Sequence, residues 1–155
     1  MASSNTDSLT TFFLRVTEGL INDAAQKNQK IPVSSLRWEA DELGGVYFAA
    51  DYFKYLIYGR GPGKFPPPDK MTEWVEANPD VLARAKQVYK YLTSQQLGFL
   101  IGRKISKEGT DIFSGKKQGI DLLGVMEKNM PDLLKELTRN EVVKIATDLR
   151  QAVKV

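Results

Sequence analysis

Apolar residues recur every three or four positions near the start of the chain. Leu9, Phe12, Phe13, Val16, Leu20 and Ala24 form one stripe, with Thr17, Asp23 and Lys27 off it. This period predicts an amphipathic helix over 8–26. Asp7 or Ser8 caps it, Asn28, Gln29 and Lys30 end it, and Pro32 follows. The pattern then changes to period two, with Leu36, Trp38 and Ala40 alternating with Arg37, Glu39 and Asp41. That alternation predicts a strand with one apolar face, and Gly44-Gly45 supplies a turn after it. Residues 46–58 hold six aromatics and only two charges, Asp51 and Lys54. Aromatic and β-branched enrichment beside glycines favours strand, interrupted at 49–51 by a bulge or a short turn. The expectation is a small antiparallel sheet of two to four strands.

Residues 59–68 contain three glycines and four prolines and hold no regular element. Pro68 fits the first turn of a helix. Met71, Trp74 and Val75 give that helix a face, and Asn78-Pro79 ends it. A longer helix opens at Asp80 with Val81, Leu82, Ala85, Val88, Tyr89 and Leu92 on one side. Leu97, Leu100, Ile101 and Ile105 continue that side after a phase slip, and Thr93-Ser94-Gln95 breaks or bends the helix. Gly109 is placed as its C-terminal cap, after Lys104 and Lys107. A loop with Ser114-Gly115-Lys116-Lys117 leads to a helical segment over 120–128. A second start is expected at Asn129 and Pro131, with Val142, Ile145, Ala146, Leu149 and Val153 as the later stripe. Thr138 and Glu141 form a capping box that splits this last element. The fold class is therefore α+β: a small antiparallel β-sheet packed against several α-helices, N-terminal helix first. A single domain is expected over 1–155, with 1–7 a flexible N-terminus and 118–155 a helical C-terminal extension.

The chain's 155 residues match one ordinary domain, and 42% hydrophobic with 26% charged residues is a globular composition. The balance of 22 basic against 19 acidic residues gives +3, well short of the dense field of a dedicated nucleic-acid binder. There is no cysteine and no histidine. Thiolate chemistry, disulfides, histidine general acid/base catalysis and His- or Cys-ligated metals are excluded. No cofactor, metal ligand set or small-molecule substrate is expected, and no enzymatic activity. No stretch reaches the ~20 apolar residues of a membrane span, and the polar start lacks a signal-peptide pattern. Folding in a cytoplasm is the expectation.

The glycine cluster ending in Gly63-Lys64 does not meet the phosphate-loop pattern. Tyr58 stands where that motif needs glycine and Phe65 where it needs Ser or Thr; Lys64 likewise breaks the dinucleotide fingerprint. The carboxylate pairs Asp41-Glu42 and Glu73 with Glu76 suit glycoside hydrolysis or magnesium, but a solvated helix face and an acidic turn explain them better. Arg103, Lys104, Lys107, Lys116 and Lys117 form a basic patch, either phosphate-facing or compensating a helix end. The aromatics Tyr47, Phe48, Tyr52, Phe53, Tyr55 and Tyr58 can stack bases or, more ordinarily, supply a core or a subunit contact. The Gly/Pro loop is longer and stiffer than connection alone demands. It reads as a partner-contacting loop or as a plain connection.

The run from Tyr52 to Val75, YFKYLIYGRGPGKFPPPDKMTEWV, resembles the tail-completion, or neck, family of tailed bacteriophages. The shared features are a Tyr-rich strand ending in Gly, a Gly/Pro loop, Phe-Pro-Pro, and a helix carrying Trp. A second motif, LGFLIGRKISKEGT from Leu97 to Thr110, is similar to that family's helix with a basic pair running out at glycine. The helix-first order and the short Ile112-Phe113 also fit. The resemblance implies a non-enzymatic virion structural protein, a head–tail connector made in the host cytoplasm and working in the virion neck. It implies a ring homo-oligomer between the portal or its connector and the tail, with weak non-specific DNA contact in the lumen. The partner-interface candidates are Tyr58, Gly59, Arg60, Gly61, Pro62, Gly63, Lys64 and Phe65, with Trp74 either the anchor that seats the loop or plain core. The basic patch is the candidate DNA-facing surface. The alternative is a small nucleic-acid-binding module using the aromatic strands and that patch; a regulatory protein docking on a host enzyme is a third.

Overall fold

The computed structural model describes residues 4–31 and 33–152. The order is α1 (Asn5–Gln26), β1 (Arg37–Ala40), β2 (Gly45–Phe48), α2 (Phe53–Tyr58), α3 (Pro68–Ala77), α4 (Pro79–Val88), α5 (Ser94–Glu108) and α6 (Leu122–Ala152). The protein is α+β, with a two-stranded antiparallel sheet among helices. Two compact units form. One is Met1–Ile57 with Ile120–Val155; the other is Tyr58–Gly119.

In the first unit, α1 buries the predicted stripe: Phe12, Phe13, Val16, Leu20 and Ala24. Its start lies earlier than the sequence suggests. Ser4 is the cap, accepting from the Asp7 N–H at 3.1 Å while Asp7 accepts from the Ser4 N–H at 3.2 Å. This reciprocal box satisfies two orphan donors and draws residues 5–7 into the helix, so the expected flexible start over 1–7 fails at 4–7; residues 1–3 lie outside the described residues. Ser8, offered as a cap, is buried on the core side. Pro32 and Val153 also lie outside the described residues. The hairpin pairs Arg37 with Phe48, Trp38 with Tyr47, Glu39 with Val46 and Ala40 with Gly45. Asp41 turns it by accepting from the N–H groups of Leu43 (2.8 Å) and Gly44 (2.9 Å).

Two expectations fail in this unit. Strand ends at Phe48, and 53–58 is helix α2, not a second stretch of aromatic strand. Phe53 is buried, and Leu56 and Ile57 pack against the same core cluster. The spacing i, i+3, i+4 is helical, and this packing overrides β propensity. The tyrosine-rich part of the phage-like run is therefore helical here. The C-terminal segment is one helix without a break at Asn129 or Pro131. Proline inside a helix costs about 3 kcal/mol. Met130, Leu133 and Leu137, however, pack on the core on both sides of it, and that burial holds the helix together. Thr138 donates to the Leu134 carbonyl at 2.8 Å and Glu141 accepts from Asn5 at 3.1 Å, so the pair caps nothing. Asp23 ties α1 to the start of the last segment: its Oδ2 accepts from Lys27 Nζ and from the Asp121 N–H, both at 2.8 Å.

In the second unit Pro68 is the first residue of α3, as predicted, and Pro79 rather than Asp80 opens α4. The long helix expected after it is two. Thr93 accepts from the Gln96 N–H while Gln96 accepts from the Thr93 N–H, a capping box that starts α5 afresh. Gly109 closes α5 at φ +79°. Val75 and Leu97 are buried, but Val88 and Tyr89, expected on an inward face, are 76% and 65% exposed.

Candidate docking interface

The Gly/Pro loop is held along its length by the last turns of α5 and the residues after it. Arg60 donates its N–H to Thr110 Oγ1 at 2.9 Å, and its carbonyl accepts from the Thr110 N–H at 2.8 Å. The Arg60 guanidinium donates to the Lys64 carbonyl at 2.7 Å. Gly63 donates to the Ser106 carbonyl at 2.9 Å. Gly59, at φ +73°, lies so close to Phe113 that a β-carbon would overlap its backbone nitrogen. Only glycine meets both conditions without strain.

The side chain that seats the loop is Phe65. A β-carbon added to Gly102 would sit 2.8 Å from its ring, and the Phe65 and Phe99 centroids are 5.4 Å apart. Pro66 behind it is fully buried. One helical turn earlier, Gly98 lets α5 meet the α3 backbone, where a β-carbon would stand 3.0 Å from the Met71 carbonyl carbon. Gly98 and Gly102 thus make a smooth face that receives α3 and Phe65. This Gly-x-x-x-Gly spacing is visible in the sequence, yet hydrophobic periodicity passes over it because it counts side chains. Thr110 and Phe113 stand in the sequence reading only as parts of the phage-like pattern, since no local pattern pairs them with residues fifty positions away. Trp74, weighed as anchor or core, is 46% exposed, so the core reading fails.

Tyr58 (70% exposed), Pro62, Gly63 and Lys64 remain at the surface. Arg60, Gly61 and Phe65 are partly covered; Gly61 is 3.2 Å, measured from a β-carbon position, from the Phe113 ring. The exposed basic residues Arg103, Lys104 and Lys107 lie on the same end of α5 that holds the loop, and Lys116 and Lys117 follow it. Lys104 approaches Asp111 at 4.0 Å. Tyr58–Gly119 carries eleven of the 22 basic residues and six of the 19 acidic ones, a net +5, which leaves −2 for the rest.

The proposed base-stacking aromatics do not share a strand. Tyr47 stacks on Trp38 at 6.3 Å and shares a 2.7 Å hydrogen bond with Thr17, and burial pushes its phenol above the ordinary range. Phe53 is core, while Tyr52, Tyr55 and Tyr58 are exposed around α2. The carboxylates have ordinary partners. Asp41 makes the hairpin turn, Glu42 accepts from Thr6, and Glu73 pairs with Lys70 at 2.7 Å on an exposed face. Among the described residues no group of three metal-ligating side chains occurs, and no helix is long and apolar enough to cross a membrane. No protein-family model, curated protein or solved structure matches the chain.

Proposed function

We propose that the chain is a structural protein of a tailed-phage neck, forming or joining a ring between portal and tail through protein contacts, with the 58–65 loop as its docking element. The observation that carries this reading is the fixed loop. Its backbone is bonded to Ser106 and Thr110, yet Tyr58, Pro62, Gly63 and Lys64 stay exposed. A segment already ordered loses little conformational entropy on docking. The phage-like motifs at 52–75 and 97–110 are the two segments that form this arrangement, which supports the assignment although 53–58 is helix rather than strand.

Deleting Gly61 to Lys64 removes the bond to Ser106 along with the tip, so surface substitutions separate docking from folding. Tyr58→Ser with Lys64→Glu is expected to keep the wild-type circular dichroism and thermal midpoint. It is also expected to lose attachment to portal-bearing, tailless particles in negative-stain microscopy. A double variant that attaches as well as wild type contradicts the loop's role. A wild type that neither forms rings nor attaches to such particles contradicts the reading itself.

One observation favours nucleic-acid binding as a second reading. Residues 81–107 contain six basic residues and no acidic one. That reading predicts DNA binding whose affinity falls steeply with salt.

A further inference from the structure

Resting on the ring reading, we propose that the last turns of α6 dock into a depression beside α5 of a second copy, and that this head-to-tail contact is what assembles the chain. Beyond Glu141, every described residue of α6 is exposed. Val142, Ile145 and Leu149 lie on one helical face and are 60%, 57% and 61% exposed. The receiving surface is an open depression of about 490 Å³ lined by Leu92, Gln95, Gln96, Phe99 and Leu100. Tyr89 and Tyr91, 65% and 86% exposed, belong to the connection that leads into it. Its lining of leucine, glutamine and one phenylalanine suits aliphatic side chains better than stacked bases.

Charge decides which surface a second copy presents. All six charges in 81–107 are basic. Two such surfaces facing each other repel, which disfavours a two-fold contact through this unit. The α6 face is bordered on one side by Glu141 and Asp148 and on the other by Arg139 and Arg150. Docking with the acidic border toward the basic unit satisfies both rims, and the net +5 and −2 of the two units attract in the same sense. A contact between two different patches is heterologous, and repeated by rotation it closes a ring.

The test uses two surface variants of the full chain. V142Q/I145Q/L149Q removes the face, and Q95E/L100E places two carboxylates in the depression; both keep wild-type circular dichroism and thermal midpoint. Light scattering after size exclusion is expected to give an oligomer for wild type, a monomer for each variant, and a heterodimer that grows no further when the two are mixed. That last result arises because one intact face then meets one intact depression. An oligomeric wild type whose mass neither variant lowers overturns this interface and leaves the ring reading standing. A mixture that stays monomeric also overturns it. A wild type monomeric up to its solubility limit overturns it too, while attachment of that monomer to portal-bearing particles retains the neck assignment.

Discussion

Among the described residues, nine hydrophobic ones from Phe12 to Leu133 are buried in the unit made of Met1–Ile57 and Ile120–Val155, whereas Tyr58–Gly119 buries only Val75 and Leu97. The first unit is held by interlocked side chains between α1, the hairpin and α6. The second is held by backbone approach: Gly98 against α3, Gly102 under Phe65, and the loop's hydrogen bonds to Ser106 and Thr110. It leaves Val88, Tyr89, Tyr91, Phe99 and Leu100 on its surface. A unit with so little buried apolar area gains more from a partner's surface than one whose core is complete. Net basic charge and the thinnest internal packing coincide in this unit, and that coincidence is the physical case for docking there.

The difference can be broken from either side, because Trp38 in β1 and Trp74 in α3 report one unit each. The largest effect is expected from Gly59→Ala. The left-handed backbone penalty and overlap with Phe113 together cost about 3–5 kcal/mol, read as a shifted Trp74 fluorescence transition in urea with Trp38 replaced by Phe. Leu20→Ala opens a hole in the other core and is expected to cost about 3 kcal/mol, shifting the Trp38 transition in a Trp74→Phe background. Equal shifts of both probes in both variants contradict the comparison.

Asp23→Asn is expected to cost about 1–2 kcal/mol, the worth of charge-assisted hydrogen bonds at a partly buried site. Burial pushes the Asp23 carboxyl up, but the bonds from Lys27 and the Asp121 N–H and the Lys27 charge outweigh it and leave it below 3.8. A depressed folded-state value means that the stabilisation is fully present above the unfolded-state value. It is lost as pH falls from there through the folded one. Acid titration of stability therefore separates the wild type from Asp23→Asn near neutral pH and brings them together in strong acid. The smallest effect is expected from Lys64→Glu, whose side chain is exposed: no measurable change in thermal midpoint, since its carbonyl still accepts from Arg60.

Much of the fold was legible because it rests on local rules. The α1 stripe, the β1 alternation, Pro68 at a helix start and Gly109 at a helix end all appear where pattern places them. Two of the failures share one cause, core packing that overrides a local signal. Residues 53–58 carry strand-like composition but become helix because Phe53, Leu56 and Ile57 find the core at helical spacing. Asn129 and Pro131 read as a new helix start, yet core contacts of Met130, Leu133 and Leu137 on both sides of the proline carry one helix through it. At the candidate site the loop was legible from its glycines and prolines, while its clamp at Ser106, Thr110 and Phe113 was not. Trp74 drew attention by its size, and the smaller partners Gly98 and Gly102 set the geometry.

The most direct measurement is the mass of the purified wild-type chain by light scattering after size exclusion, followed by negative-stain microscopy alone and with portal-bearing particles. Closed rings in solution, or a monomer that joins those particles at the portal, are expected. A monomer that forms no ring and ignores the particles, shifting DNA only at low salt, contradicts the neck assignment.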